Sequence, residues 1–417
     1  MLQISYNKKK LAGTFDLPAS KSISNRLLIM RALERSKVLF DNLSEAEDTY
    51  MMRLYLSFIN TCAGSDIPLS LDAHNAGTVF RFLLAYLSRQ EGKWLLTGGE
   101  RMRQRPVGAL VDALRSLGAD IKYTEKEGFP PLIIHGKDLK GGEVELNASS
   151  SSQYISALML IAPHLPGGLT IKLKTEPVSS AYIDMTATLM QNFGAKVLLG
   201  KNEVCVEEGM YAVEKIGVES DWSGAAFWYE MVAFGMGASV HLPGLSENSV
   251  QGDRFLSEVF DKLGVRSAFT EDGLDLIHTG KVAKTIDFDF THAPDIVPSV
   301  MVACAALGVE GRFSGIEHLR IKESDRILSM QQELGNIGAT IVQDGESYLL
   351  HPGNKNVSGK LIFNSHGDHR MAMSLAPLAM KYKTVVIKEP DVVKKSYPGY
   401  WDEMKKTGLF ALKKINS

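Results

Sequence analysis

The chain has 417 residues, 45% of them hydrophobic, enough to build sizeable cores for two or three domains. Lys+Arg 46 against Asp+Glu 48 leaves a formal charge of -2, so no bulk field draws it to nucleic acid or an anionic membrane, and any basic site must be local. The three cysteines, Cys62, Cys205 and Cys304, lack the paired spacing of a zinc site or disulfide framework, and no segment reaches membrane-spanning length; a cytoplasmic, reducing setting is expected.

In chain order, Leu2 to Tyr6 reads as a strand ahead of the first helix-length apolar run. That run opens at Lys21-Ser22-Ile23-Ser24-Asn25-Arg26. Further polar or glycine-bearing clusters open apolar runs at Asn75-Ala76-Gly77-Thr78, Ser149, Asp221, His292 and His366. Counted from Ser22, successive starts lie 53, 74, 72, 71 and 74 residues apart, the near-constant period of one repeated supersecondary structure. Out of phase run amphipathic segments that end in glycine and turn into strand-like sequence: Leu110 to Ile121, Leu189 to Val197, Leu256 to Val265 and Ile327 to Ile341, with weaker copies at Tyr50 to Ile59 and Trp401 to Leu409. Leu110, Leu114 and Leu117 share a helical face, as do Ile327, Met330, Leu334 and Ile337, and the glycine that follows suits a left-handed cap. Ile155 to Ala162 and Val300 to Leu307 are apolar all round and belong inside a layer of other structure. Short alternating runs such as Leu132 to His135, Leu169 to Leu173, Ser239 to Leu242 and Thr384 to Ile387 read as strands. The pattern predicts an α/β fold of strand-helix repeats with one domain over residues 19–221. A second, discontinuous domain takes residues 1–18 and 222–417, with hinge crossings near 17–20 and 219–223.

A buried helix start presents unsatisfied N–H groups and partial positive charge, and here charged side chains gather at those starts: Lys21 and Arg26, Arg81, Asp295, and Asp368-His369-Arg370. Outside them lie Arg101-Met102-Arg103-Gln104-Arg105-Pro106, Arg320 to Arg326 and Lys394-Lys395-Ser396-Tyr397-Pro398. Brought together, they form a site for an ionised substrate, since the arginine fork matches two oxygens of a phosphate or carboxylate. Taken singly each has a plainer reading, and both stay open. Arg101-Met102-Arg103 is also a solvated helix face, Ser149 to Ser152 a turn or N-cap, Gly77 a turn glycine and Asp295 an N-cap.

Leu17 to Arg26, Asn75 to Thr78, Arg105-Pro106, Ser151-Ser152-Gln153, Lys322 to Arg326, Asp368 to Ala372 and Lys395 to Pro398 together resemble, end to end and in order, the 5-enolpyruvylshikimate-3-phosphate synthase family. The resemblance implies a two-domain inside-out α/β barrel of six βαβαββ repeats, three per domain, closing on shikimate 3-phosphate and phosphoenolpyruvate. It implies transfer of the enolpyruvyl group to the 5-hydroxyl with release of phosphate, the sixth step of the shikimate pathway, without metal or organic cofactor, by a monomer. By motif, the shikimate phosphate falls to Ser151, Ser152 and Ser179, with Ser22, Arg26 and Tyr182 along the ring and carboxylate; Lys21, Gln153, Asp295, His318 and Lys322 complete that set. Phosphoenolpyruvate falls to Lys21, Gly77, Arg105, Gln153, Lys322, Arg326, Arg370 and Lys395. Asp295 is the expected base for the hydroxyl and Glu323 the expected proton donor, with Lys21 a rival donor and His369 supporting Glu323. Lys322 and Arg326 beside Glu323 favour its ionised form, which works against an acid role.

Phe82 stands where the family frequently has proline, which bears on the geometry near Gly77 and on response to the inhibitor glyphosate. His318 stands where some relatives have asparagine, and the stretch from Asn60 to Asp72 is short. Two alternatives are a sister transferase acting on UDP-N-acetylglucosamine, which uses a loop cysteine or aspartate as acid, and a non-catalytic binder of phosphorylated ligands, which has no need of Asp295 or Glu323.

Overall fold

The computed structural model describes residues 1–61, 67–147, 151–175, 177–353 and 360–416, without the side chains of Asn60 and Thr61. Ser149 and Cys62 lie outside the described residues. The chain divides into two compact units, the first made of Met1–Ser20, Glu45–Glu47 and Glu219–Ser417, the second of Lys21–Ser44 and Asp48–Val218. Residues 19–20 and 219–221, which the sequence pattern puts in the middle domain, fall in the first unit. The reason is backbone pairing: Ala19 bridges Ser220 antiparallel, and the Asp221 N–H donates to Pro18 O at 2.8 Å.

In the second unit, Leu69–Asp72 and Gly92–Thr97 pair in parallel, joined by the helix Gly77–Ser88. The chain then adds the helix Gly108–Ser116 and the strands Asp120–Tyr123 and Leu132–Gly136, the latter closing antiparallel on Gly92–Thr97. The same βαβαββ order recurs through Gly142–Leu146, the helix Ser152–Ile161, Leu169–Leu173, the helix Ala181–Asn192, Val197–Leu199 and Glu203–Val206. In the first unit it runs through Thr285–Asp289, the helix Val297–Leu307, Glu310–Ser314, the helix Arg326–Gly335, Thr340–Asp344 and Ser347–His351.

The two remaining sheets are completed from the N-terminus. Leu2–Tyr6 lies between Thr384–Ile387 and Phe410–Lys414, antiparallel to both, and supplies the fourth strand of the last repeat. Ala12–Thr14 runs parallel to Ser239–Pro243 and supplies the strand that the Trp222–Phe234 helix lacks before it. The described residues thus form five four-stranded sheets where six repeats were expected. The first repeat has its two helices, Lys21–Leu33 and Glu47–Thr61, but no strand hairpin after them among the described residues. Its length explains this: 53 residues to the next start, against 71 to 74 elsewhere, is short by about a hairpin.

Each unit buries three helices against one another. In the second these are Lys21–Leu33, Gly77–Ser88 and Ser152–Ile161; in the first, Trp222–Phe234, Val297–Leu307 and His369–Leu375. Their apolar residues point every way because sheets and amphipathic helices surround them. Gly77–Ser88 is buried except at Thr78, Ser152–Ile161 except at Gln153, and Trp222–Phe234 except at Ser223. All three exceptions are the second residue of a helix, so solvent reaches these helices at their N-terminal ends.

Ile4 is fully buried at the middle of its strand. Ile4→Ala is expected to lower stability by about 2–5 kcal/mol. Urea denaturation checks this, and a loss under ~1 kcal/mol would show that the N-terminal strand is dispensable to its sheet.

Candidate active site

In the first unit the three buried helix starts are tied together by one guanidinium. Arg370 Nη2 donates to Asp295 Oδ2 at 2.9 Å and to Ser223 Oγ at 3.2 Å, and its Nη1 donates to Asp295 O at 3.2 Å. Asp295 sits in the turn Pro294–Ile296 that leads into Val297–Leu307. Its other oxygen accepts from Arg326 Nη1 at 2.9 Å. The helix caps are Asp221, accepting from the Ser223 N–H, and Asp368, accepting from the Arg370 N–H.

Arg326 organises the carboxylates. Besides Asp295, its Nη2 donates to Glu323 Oε2 at 2.9 Å and its Nε to Asp368 Oδ2 at 2.8 Å, with the Arg326 side chain 2% exposed. Burial alone would weaken its charge, but Asp368, Glu323 and Asp295 outweigh that and hold it protonated more firmly than an ordinary arginine. Three of its five N–H donors are used in these contacts. His369 Nδ1 lies 3.5 Å from Asp368 Oδ1. Lys395 ends the turn Pro390–Lys395, which packs on His369–Leu375. His318 is mostly buried, and burial, then Lys322, push its pKa down to about 3, so it is neutral at physiological pH.

In the second unit Lys21 starts its helix and pairs with Asp48 at 3.0 Å. Arg26 is buried. It donates from Nε to Thr186 Oγ1 at 2.7 Å, from Nη1 to Ser22 O at 2.9 Å, and from Nη2 to Ser156 Oγ at 3.2 Å and Tyr182 O at 3.3 Å. Its guanidinium stands 5.3 Å from the Phe82 ring centroid and 5.7 Å from that of Tyr182. Phe82 therefore packs the buried Arg26 cation by its aromatic face, a contact proline could not make. Burial lowers the Arg26 pKa to about 10, which leaves the side chain charged.

Gln153 Nε2 donates to Thr78 Oγ1 at 3.0 Å, and its Oε1 accepts from Arg81 Nη1 at 2.5 Å. The Gln153 N–H donates to Ser151 Oγ, making Ser151 the N-cap of Ser152–Ile161. Space at Gly77 is close: a Cβ there would lie 2.5 Å from Arg81 Nη1 and 2.7 Å from Arg105 Nη2, so both guanidinium ends would have to shift. Ser152 and Ser179 are buried, the latter before Ala181–Asn192 with a left-handed φ of 57°. Lys21, Gly77, Gln153 and Ser152 thus stand at the starts of the three buried helices, whose dipoles favour an anion. Among the described residues no group of three or more His, Cys, Asp or Glu could hold a metal ion.

Known proteins share this chain's sequence pattern and fold. Residues 6–404 match the family model of EPSP synthase (3-phosphoshikimate 1-carboxyvinyltransferase). The chain belongs to the EPSP synthase family. It is 43% identical over 402 residues to the 3-phosphoshikimate 1-carboxyvinyltransferase of Bacteroides fragilis strain YCH46, covering 96% of each chain. It is 36% identical over 418 residues to that of Shewanella sediminis, covering 94% of this chain and 96% of the relative. The EPSP synthase structure from Acinetobacter baumannii shares the fold, with a TM-score of 0.74 over 99% of this chain at 24% identity.

In this EPSP synthase family member, Asp253 is a site neighbour that sequence reasoning missed. It lies buried in the turn Gly252–Phe255 and accepts a hydrogen bond from Ser223 Oγ, the hydroxyl that receives Arg370. Burial, then Asp295, raises its pKa to about 7, with Arg370 and the Ser223 bond opposing. Nothing local in Ser249-Val250-Gln251-Gly252-Asp253 signals this, because its surroundings come from distant segments.

A pKa raised on folding stabilises fully below the unfolded value, 3.8, and that contribution is lost as pH rises to about 7. Asp253→Asn removes this slope. Relative to the parent, the variant should gain stability on going from pH 5 to pH 8, by on the order of 2 kcal/mol. Urea denaturation at the two pH values checks this; parallel pH dependences would mean Asp253 stays ionised throughout.

Proposed function

We propose that the chain transfers the enolpyruvyl group of phosphoenolpyruvate to the 5-hydroxyl of shikimate 3-phosphate, with phosphate as the second product. The observation that carries this reading is the intact Asp295–Arg326–Glu323 and Asp295–Arg370 network in a chain of this family. Asp295 takes the hydroxyl proton. As a base it must be ionised, and two guanidinium groups at 2.9 Å favour that form. The freed oxygen bonds to C2 of phosphoenolpyruvate while a proton adds to C3, giving a tetrahedral intermediate. Loss of a C3 proton and of the phosphate leaving group then restores the double bond. Glu323, supported by His369, is the proposed donor to C3, with the Arg326 contact at 2.9 Å working against its acid form, and Lys21 is the rival.

Ser151, Ser152 and Ser179 take the shikimate phosphate, Ser22, Arg26 and Tyr182 the ring and carboxylate, with Gln153 adjoining both substrates. Lys21, Gly77, Arg105, Lys322, Arg326, Arg370 and Lys395 are the proposed set for phosphoenolpyruvate, and Asp295, His318 and Lys322 join the set for shikimate 3-phosphate. No cofactor enters the proposed steps. We place the enzyme in the cytoplasm as a monomer; no helix of the described residues is long and apolar enough to cross a membrane.

The alternatives have less support. Cys304 is buried in a helix where burial pushes its thiol pKa up, and Cys205 lies within the strand Glu203–Val206, so neither suits a loop acid. Two carboxylates oriented by shared guanidinium groups are also more than a passive binder of phosphorylated ligands requires.

Phosphate release should need both substrates together. Release with phosphoenolpyruvate alone, or none with both, would overturn the reading. Asp295→Asn is expected to lower kcat by about 10²–10⁴-fold while calorimetry still detects shikimate 3-phosphate; equal loss of binding would remove Asp295 from the base role. Gly77→Ala forces Arg81 and Arg105 aside, so KM for phosphoenolpyruvate should rise by about tenfold or more with KM for shikimate 3-phosphate little changed. An unaltered KM for phosphoenolpyruvate would show that neither arginine needs that space.

A further inference from the structure

The abbreviated first repeat leaves an opening with a chemical character of its own. In the other repeats of the second unit a strand hairpin follows the second helix, at Asp120–Tyr123 with Leu132–Gly136 and at Val197–Leu199 with Glu203–Val206. After Glu47–Thr61 the described residues have none, and beside that helix lies a cleft of about 670 Å³. Its lining includes Arg31, Arg35, Lys37 and Arg53, with Glu91 the one carboxylate and Leu39 among the apolar contacts.

None of these four cations forms an ion pair among the described residues, although the chain as a whole is slightly acidic. Arg31 is fixed in place. Its Nη1 donates to Val38 O at 3.3 Å and its guanidinium lies 6.0 Å from the Phe40 ring centroid. It is half-buried, and burial followed by repulsion from Arg53 lowers its pKa, so two like charges share one partly desolvated space. Arg35 adopts a left-handed φ of 50° at the end of the Lys21–Leu33 helix, a position that glycine takes without strain. A plain reading makes Arg31 a helix C-terminal charge that complements the dipole. That accounts for one cation and leaves the convergence of three more on the same cavity unexplained.

We infer that this cleft is a binding site for a small polyanion carrying phosphate or carboxylate groups, separate from the substrate residues and built on the same two helices. Lys21 starts one of these helices and Asp48, its partner at 3.0 Å, lies near the start of the other, while the cleft lies toward their far ends. An occupant touching both helices bears on the alignment that holds Lys21, which gives the site a route to modulating turnover.

Arg35 and Arg53 are exposed and outside the proposed catalytic machinery, so an Arg35→Gln/Arg53→Gln variant should fold and turn over as the parent does. Calorimetry with tripolyphosphate and, separately, citrate is run on the parent, on this variant and on a Lys262→Gln/Lys281→Gln variant with the same charge change elsewhere. The cleft variant should bind the better of the two probes about tenfold more weakly or worse, while the control variant matches the parent. Preference for tripolyphosphate would point to a phosphorylated ligand and preference for citrate to a polycarboxylate, each supporting the site. Equal binding by all three proteins, or equal weakening in both variants, would overturn it. The measurement needs no turnover, so it stands or falls independently of the proposed reaction.

Discussion

Arg326 is the constraint on which the first unit's site depends. One buried guanidinium orients three carboxylates that arrive from separate segments: Asp295 from the turn before Val297–Leu307, Asp368 from the cap of His369–Leu375, and Glu323 from the approach to its own helix. A lysine could supply the charge but not the planar fork that aims at three acceptors at once. Removing one member of a buried ion pair costs about 3–5 kcal/mol, because the partner's desolvation is no longer compensated. Here the loss would strand three partners. The network therefore fixes the geometry of the proposed base and acid together.

The second unit repeats the architecture with a different electrostatic outcome. Arg26 is as buried as Arg326, but its partners are hydroxyls, carbonyl oxygens and two aromatic faces. None neutralises it, so its charge remains unbalanced locally. Arg326 sits among three carboxylates, which outnumber it. The first arrangement suits holding an anionic substrate, the second suits placing carboxylates for proton transfer. Three helix starts in each unit supply the common frame, and the side chains on that frame determine what each half does.

Much of this was legible in the sequence because it depends on local periodicity. The apolar runs, their polar openings and the glycines after the amphipathic segments all follow from helix geometry, and Gly194 and Gly338 do take φ of 83° and 87°. Asp221 caps the helix at its marked start, and Ser151 caps the next-earlier marked one, Ser152–Ile161, from within the Ser149 to Ser152 cluster. Other features were out of reach because they rest on contacts distant in sequence. The Leu2–Tyr6 strand is recognisable by itself, but its place between two strands some 380 to 410 residues away is not. Asp253 reads as an ordinary loop acid until Ser223, Asp295 and Arg370 surround it. Phe82 reads as a lost proline until Arg26 is seen over its ring.

The abbreviated repeat shows why such a chain tolerates losing part of one unit. In this architecture each sheet covers helices from outside, while the buried helices hold one another. Lys21–Leu33 packs on Gly77–Ser88, Ser152–Ile161 and Ala181–Asn192, so its inner face is covered whether or not a hairpin lies outside. Among the described residues no strand hairpin directly follows Glu47–Thr61, and Leu39 is 73% and Tyr50 63% exposed. Exposed apolar surface at ~25 cal/mol per Å² is a modest penalty beside the buried core of the unit. The flank beside that helix carries Arg31, Arg35, Lys37 and Arg53, whose mutual repulsion keeps it hydrated and resists collapse of the cleft. Loss of the hairpin thus removes a cover without removing a support, and the helices that position Lys21 keep their packing.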